Sequence, residues 1–238
     1  MTWTTIQSPS DIVEITIDIE SVPCQWPGIL DEYRAAVQAP ATNKKPESIA
    51  AWLEEHREAE AEAAWLKTSF DGGMGQICVI GWAIDDEPAE ALQVADLTPD
   101  AEAELLRYWF DQLRQAYSGT HHQRPIIIGH NHVSFDLPFI WQRAIVHGIK
   151  PPMWLPRDPK PWSESVFDTM TQWAGVKSRI SMDRLCRVLG IPGKDGMTGA
   201  DVWPAVKAGR IDEVAAYCKK DVERTRAIHK RLTFSEQP

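Results

Sequence analysis

Asp18 and Glu20 stand two apart in the run Ile12-Val13-Glu14-Ile15-Thr16-Ile17-Asp18-Ile19-Glu20. Ile15, Ile17 and Ile19 alternate with Glu14, Thr16, Asp18 and Glu20, which is the period of a β-strand. The alternation puts both carboxylates on one face, about 7 Å apart along the strand. Two such charges repel by roughly 3 kcal/mol at ~5 Å and an effective dielectric of ~20. A divalent cation is the commonest reason to tolerate that repulsion. A half-exposed strand with a solvated acidic face is the plainer reading, and the pair taken alone favours it. Asp136 is the third carboxylate of interest, and Tyr217 with Asp221 completes the set. Tyr217 and Asp221 are four apart and share a helix face. On their own they also fit a boundary aromatic and a surface charge.

The elements that must position these groups follow from the pattern around them. The first strand stops near Pro23 and Pro27. Residues 24–75 then look like an insertion. A helix is expected over 46–66, with Pro46 in its first turn and Ile49, Trp52, Leu53, Ala59, Ala63 and Leu66 as its apolar stripe. Phe70-Asp71-Gly72-Gly73-Met74-Gly75 lacks the Lys-Ser/Thr ending of a phosphate-cradling loop and reads as a turn. Residues 76–84 form a buried strand and 89–97 return antiparallel to it. A helix capped by Thr98 runs over 99–117. The all-apolar run 125–129 is a strand buried on both faces.

A helix over 135–147 follows, with Ser134 as its cap and Pro138 in its first turn. Asp136 therefore sits at the positive end of a helix, beyond the carboxyl edge of a central strand, where open α/β sheets place their sites. A short strand over 166–168 leaves Asp168 as a spare carboxylate. Ser181 caps a helix reaching Leu189. Gly190 to Gly199 form a loop with four glycines and Lys194, which could reach phosphates. Helices over 200–208 and 211–232 close the chain. Strands and helices in this order describe a mixed sheet with helices on its faces.

Composition narrows the classes. Of 238 residues, 43% are hydrophobic and 25% charged, as in a globular domain. One domain spanning residues 1–238 is expected, with the helical insertion at 24–75. No apolar run approaches the ~20 residues of a membrane span, and the N-terminus has no basic stretch followed by an apolar one. A cytoplasmic, membrane-free protein is the expectation. Cys24, Cys78, Cys186 and Cys218 are far apart, so they read as reduced packing residues and not as a zinc site. His121, His122, His130 and His132 have no spacing that converges them on a metal. The net charge is −9, unevenly spread: residues 1–120 carry 7 Lys and Arg against 22 Asp and Glu, residues 121–238 carry 18 against 12. A basic second half leaves room for a local phosphate-binding groove.

Asp18-x-Glu20, then Asp136, then Tyr217-x-x-x-Asp221 in this order resembles the DEDDy class of 3′–5′ exonucleases. The phrase Gly129-His130-Asn131-His132-Val133-Ser134-Phe135-Asp136-Leu137-Pro138-Phe139-Ile140 is most similar to the proofreading exonuclease domain of family-B DNA polymerases. The resemblance covers residues 12–232. It implies an α/β fold with a ribonuclease H-like mixed β-sheet flanked by α-helices. It implies hydrolysis from the 3′ end of single-stranded DNA, releasing nucleoside 5′-monophosphates with two divalent ions, Mg²⁺ or Mn²⁺. On that reading Asp18 bridges both ions, Glu20 and Asp221 hold the one that carries the attacking water, and Asp136 serves the second. Tyr217, with a phenol pKa near 10, orients water and is a poor base at neutral pH. The Ser21-Val22 backbone would meet the terminal 3′-hydroxyl. Asn131 and Phe135 lie beside Asp136, where Asn131 could hydrogen-bond the substrate and Phe135 stack on a base, and a structural role for both stays equally open. Nothing in the sequence reads a 2′-hydroxyl, so the same chemistry on RNA stays open. So does a non-catalytic nucleic-acid-binding module of the same fold. Protein partners are not legible.

Overall fold

The architecture is that of a computed structural model, and it describes residues 12–117, 125–193 and 196–235. The strand that carries Asp18 and Glu20 is β1, Glu14–Val22. It is the middle of a five-stranded sheet. β2 (Gln76–Ile84) pairs antiparallel on one side of it, and β3 (Glu90–Gln93) pairs antiparallel with β2. On the other side β4 (Ile126–Gly129) runs parallel to β1, and β5 (Val166–Asp168) runs parallel to β4. The order is β3-β2-β1-β4-β5.

β2 is buried at every residue but the last, which requires cover on both faces of the sheet. The helices supply it. α3 (Pro99–Ala116) and α4 (Asp136–Val146) both pack on β2. α8 (Ile211–Leu232) crosses β3, β2, β1 and β4. Its approach is close. A Cβ on Gly81 would meet Cys218 Sγ and Val222 Cγ2 at 2.9 Å each, so only glycine lets α8 lie this near β2. The β1 residues Ile15, Ile17 and Ile19 enter the same core as Trp109, Phe110 and Leu113 of α3. Thr98 caps α3 by accepting from the Ala101 N–H, as expected.

Three short elements complete the frame. α5 (Thr169–Ala174) follows β5 directly and is capped by the Asp168 side chain. α6 (Met182–Leu189) is capped by Ser181 Oγ, which accepts from Arg184 N. α7 (Val202–Lys207) packs on α8 and β1.

The segment 24–75 departs from expectation in two ways. It contains a first helix, α1 (Ile29–Ala36), that no periodicity announced. Its second helix, α2, spans Pro46–Leu66 as expected, but only Ala61 is buried. Ala59 and Ala63 of the expected apolar stripe are exposed, because α2 packs on α1 and on the 3-10 turn Lys67–Phe70 and does not lie on the sheet. Trp65 ties its end down by donating to Cys24 O at 2.8 Å and meeting Trp203 edge-on at 5.4 Å.

Two local expectations are corrected. The third strand has four residues and not nine. Ser134 does not cap α4; Phe135 holds the cap position and no side chain caps it. Among the described residues no helix is long and apolar enough to cross a membrane.

Candidate active site

The middle of β1, the start of α4 and the middle of α8 meet at one cavity of about 410 Å³. Asp18, Glu20, Asp136, Tyr217 and Asp221 all line it, with Asn131 and Phe135. The three separated motifs thus share one wall system.

Backbone geometry explains the convergence. The β1–β4 ladder ends at Thr16 paired with Ile128. Beyond that end, Asp136 Oδ1 accepts the Ile19 N–H at 3.0 Å. The first carboxylate of α4 therefore completes the edge of β1 between Asp18 and Glu20. Asn131, in the loop that delivers α4, has φ of +67°, a left-handed conformation that a non-glycine residue adopts at a cost. Its Oδ1 is buried with no partner.

Asp18 Oδ2 is likewise buried without a hydrogen-bond partner. Burial pushes the Asp18 carboxyl well above its ordinary value, and Glu20, Asp136 and Asp221 push it the same way. Burial pushes Asp136 up to about 6, against the pull of His132 and of the Ile19 N–H. Burial also raises Tyr217, helped by Glu20, Asp221 and Asp18, and the phenol hydrogen-bonds Asp221. Asp221 has a cation of its own: Arg224 Nη1 reaches its Oδ1 at 2.7 Å inside the protein. Arg224 also donates to Gly193 O at 2.8 Å, which joins the glycine-rich loop to the site.

This donor set fits hard divalent cations. Crowded carboxylates that raise one another's proton affinity, with one oxygen lacking any donor, ask for positive charge. Asp18, Glu20 and Cys218 can bring one ligand atom each within 4.8 Å of one another. Cys218 adds no thiolate, because burial and the neighbouring Asp18 hold its thiol protonated. The oxygens of Asp18, Glu20, Asp136 and Asp221 remain, a set suited to Mg²⁺ or Mn²⁺.

Other expected residues stand apart from the cavity lining. Ser21 and Val22 do not line the cavity; the Ser21 Oγ donates to Ser69 O at 2.6 Å and Val22 is fully buried, which concerns their side chains and not the backbone groups expected to meet the 3′-hydroxyl. Asp168 does not line it either. Its two oxygens accept from the N–H groups of Asn131, Val133, Met170 and Thr171, so it shapes the loop before α4 and starts α5. Burial alone would raise Asp168, but His132 and these N–H groups hold it below the usual carboxylate range. His132 is packed beside it, and His130 is tied to Thr169 and Ile180, so neither joins a histidine metal site. His121, His122 and Lys194 lie outside the described residues.

The structure adds residues that the sequence did not single out. Arg224 is one, legible only as a basic residue three after Asp221. Arg179, Ile180, Ser181 and Met182 enter the cavity wall from the segment before α6. Phe70, largely exposed, meets Phe135 at 6.2 Å between ring centres.

The family B DNA polymerase from the hyperthermophilic archaeon Pyrobaculum calidifontis is similar in structure, with a TM-score of 0.57 at 16% sequence identity. The likeness covers 93% of this chain and 24% of that one, so this chain spans about a quarter of the polymerase's length. At that identity it shows the fold, and a mixed sheet with flanking helices is the ribonuclease H-like α/β arrangement. No curated protein matches the sequence. Residues 72–237 match the family described as "Predicted 3′-5′ exonuclease related to the exonuclease domain of PolB", a stretch that includes Asp136, Tyr217 and Asp221. The chain belongs to this family of predicted 3′–5′ exonucleases.

Proposed function

We propose that this protein hydrolyses single-stranded DNA from its 3′ end and releases nucleoside 5′-monophosphates. One observation carries the reading: three motifs far apart in sequence place four carboxylates and a tyrosine around one cavity, with Asp18 Oδ2 buried and partnerless. A single domain serves the reaction, with residues 24–75 inserted beside it.

Asp18, Glu20, Asp136 and Asp221 would hold two divalent ions, Mg²⁺ or Mn²⁺. Bound there, such ions would supply an acidified attacking water and neutralise charge on the phosphate and the departing 3′-oxygen. The chain's own groups do the rest. Asp136 keeps its geometry through the Ile19 N–H. Tyr217 stays protonated, so its hydroxyl orients the attacking water and does not abstract from it. Asp221 is held by Arg224 and by the Tyr217 hydroxyl. Phe135 offers a face on which the terminal base stacks. Asn131 Oδ1 offers a buried acceptor for a donor on the terminal nucleotide.

DNA is favoured because the family is related to a DNA polymerase's exonuclease domain. The test uses a 5′-labelled DNA strand and a matched RNA strand, each with Mg²⁺, with Mn²⁺ and with chelator. A ladder shortening from the 3′ end, metal-dependent and lost in Asp18→Asn, is expected. Faster loss of RNA than DNA would move the substrate to RNA. Intact strands in every lane, with binding preserved, would leave a binding module and end the nuclease reading.

A further inference from the structure

Arg179 is the one Lys or Arg among the described residues lining the cavity. It shares that cavity with four carboxylates, yet none of the ion pairs formed by the described residues includes it. Its guanidinium therefore stays more than 4 Å from every carboxylate oxygen of the cavity and is left to meet another anion.

The segment that carries Arg179 is fixed from both sides. His130 Nε2 lies 3.0 Å from Ile180 O, and since a carbonyl only accepts, that nitrogen carries the hydrogen and donates it. His130 Nδ1 is 2.9 Å from the buried Thr169 hydroxyl, which anchors the ring to the start of α5. Met182 packs with Leu185, Cys186 and Ile228. The backbone on either side of Ile180 is therefore held, while the Arg179 side chain is exposed.

Depth separates the two kinds of charge. Asp136 is 4% exposed and Asp221 3%, at the floor, whereas Arg179 is at the open rim. A phosphate to be cut belongs with the carboxylates at the floor. A cation at the rim meets the next phosphate along the strand. Arginine's planar fork matches a phosphate's oxygens two at a time.

We propose that Arg179, on the segment tied down by His130, binds the backbone phosphate that flanks the cleaved one and so holds the single strand in register. This rests on the nuclease reading above and adds the residue that grips the strand. The contact is equal in the ground and transition states, so it acts on KM and leaves kcat nearly unchanged.

The experiment measures binding of a short 5′-fluorescein oligothymidylate in the Asp18→Asn protein, where no cleavage intervenes. Adding Arg179→Ala should weaken binding about tenfold and flatten the slope of log affinity against log salt by about 0.7, the value of one single-strand phosphate contact. Arg179→Lys should keep the slope. Arg107→Ala, which removes an exposed charge on α3, should change neither. A second probe carries one neutral methylphosphonate linkage next to the 3′-terminal linkage. Its penalty should appear with Arg179 present and vanish in Arg179→Ala, a coupling that a merely structural role would not produce. Equal slopes for Arg179→Ala and Arg107→Ala, or a neutral-linkage penalty that persists without Arg179, would overturn the proposal, as would no binding by any variant. Because binding is read without hydrolysis, intact strands in the cleavage assay would sink the nuclease reading separately.

Discussion

Asp136 Oδ1 accepts the backbone N–H of Ile19, the residue between Asp18 and Glu20, at 3.0 Å. The second motif is thereby bonded to the middle of the first, and one buried hydrogen bond ties Asp136 to the strand that spaces Asp18 and Glu20. Asp136→Asn keeps an oxygen there, whereas Asp136→Ala leaves the Ile19 N–H unpaired inside the protein. Such an orphan costs about 1–3 kcal/mol. Both substitutions should abolish hydrolysis, and only the alanine should lower urea stability by that amount. Equal stability of the two variants would show that the bond does not hold the site.

Asp18 is destabilising in the absence of a cation. Burial and three carboxylate neighbours oppose its charge, so Asp18→Asn removes a penalty along with a metal ligand. In chelator, its melting temperature should exceed that of the wild type by a few degrees, since ~1 kcal/mol corresponds to roughly 2–4 °C at this size. Adding Mg²⁺ should raise the wild type and leave Asp18→Asn nearly unmoved. Calorimetry with and without metal reads both. A lower melting temperature for Asp18→Asn in chelator would contradict the placement of an uncompensated charge.

Two buried groups give opposite pH dependences of stability. Asp136 is raised to about 6, so between about pH 4 and 6 the folded protein keeps a proton that the unfolded chain has lost, and stability falls as pH rises. His229 is lowered to about 4 by burial and by Lys230. Between about pH 6.5 and 4 the unfolded chain takes up a proton that the fold refuses, so stability falls as pH drops. Each contributes up to about 3 kcal/mol. Unfolding in chelator at both ends of that window should show Asp136→Asn gaining stability with pH more steeply than the wild type. His229→Gln should gain stability with pH less steeply than the wild type. Parallel profiles for all three proteins would defeat the assignment.

Much of this was legible in the sequence, and the rest had identifiable causes. Alternation marked β1, a long apolar run marked β2, and helical periodicity marked α2 and α8, because each is long enough for its period to repeat. The end of β4 and the start of α4 place Asp136 at the site on sequence grounds alone. α5 has six residues, too few for a period, and begins because Asp168 caps it. Asp168 looked like a spare site carboxylate. Its partners are N–H groups of Asn131 and Val133, more than thirty residues away, which no local pattern reveals. Arg179 sits in a segment without helical or strand periodicity, and only the fold brings it to the cavity. Glu102 sits in the first turn of α3, where the helix dipole favours an acid, yet its full burial depends on α4.

That buried Glu102 makes the fold around α4 depend on one ionic cluster. It accepts from Arg143 Nη2 at 2.6 Å, from Arg143 Nε and the Ile77 N–H at 2.8 Å each, and contacts His147 Nε2 at 2.8 Å. Arg143 also donates to Gly72 O. Removing Arg143 strands a carboxylate in the core, so Arg143→Leu should cost about 3–5 kcal/mol. Glu102→Gln in the same chain removes the stranded charge and should recover a large part of that loss. Denaturant midpoints of the two single variants and the double variant test the coupling. A double variant no more stable than Arg143→Leu would mean that the stranded charge is not the cause.

Tyr217 separates orientation from base catalysis. Burial and the carboxylates Glu20, Asp221 and Asp18 all push its ionisation upward, and its hydroxyl bonds to Asp221. A phenol so placed stays neutral throughout the working range. Tyr217→Phe keeps the ring in the α8 interface and deletes only the hydroxyl. The rate should fall by about 10- to 100-fold from lost positioning of the attacking water, less than the loss of proton transfer proper at the upper end of its ~10²–10⁴ range. The pH–rate profile should fall by a constant factor between pH 7 and 10 without changing shape. Single-turnover cleavage at saturating enzyme reads the chemical step free of product release. If the wild type instead shows a rising limb in that interval that the phenylalanine variant lacks, the hydroxyl is titrating, and Tyr217 acts as a base in spite of its surroundings.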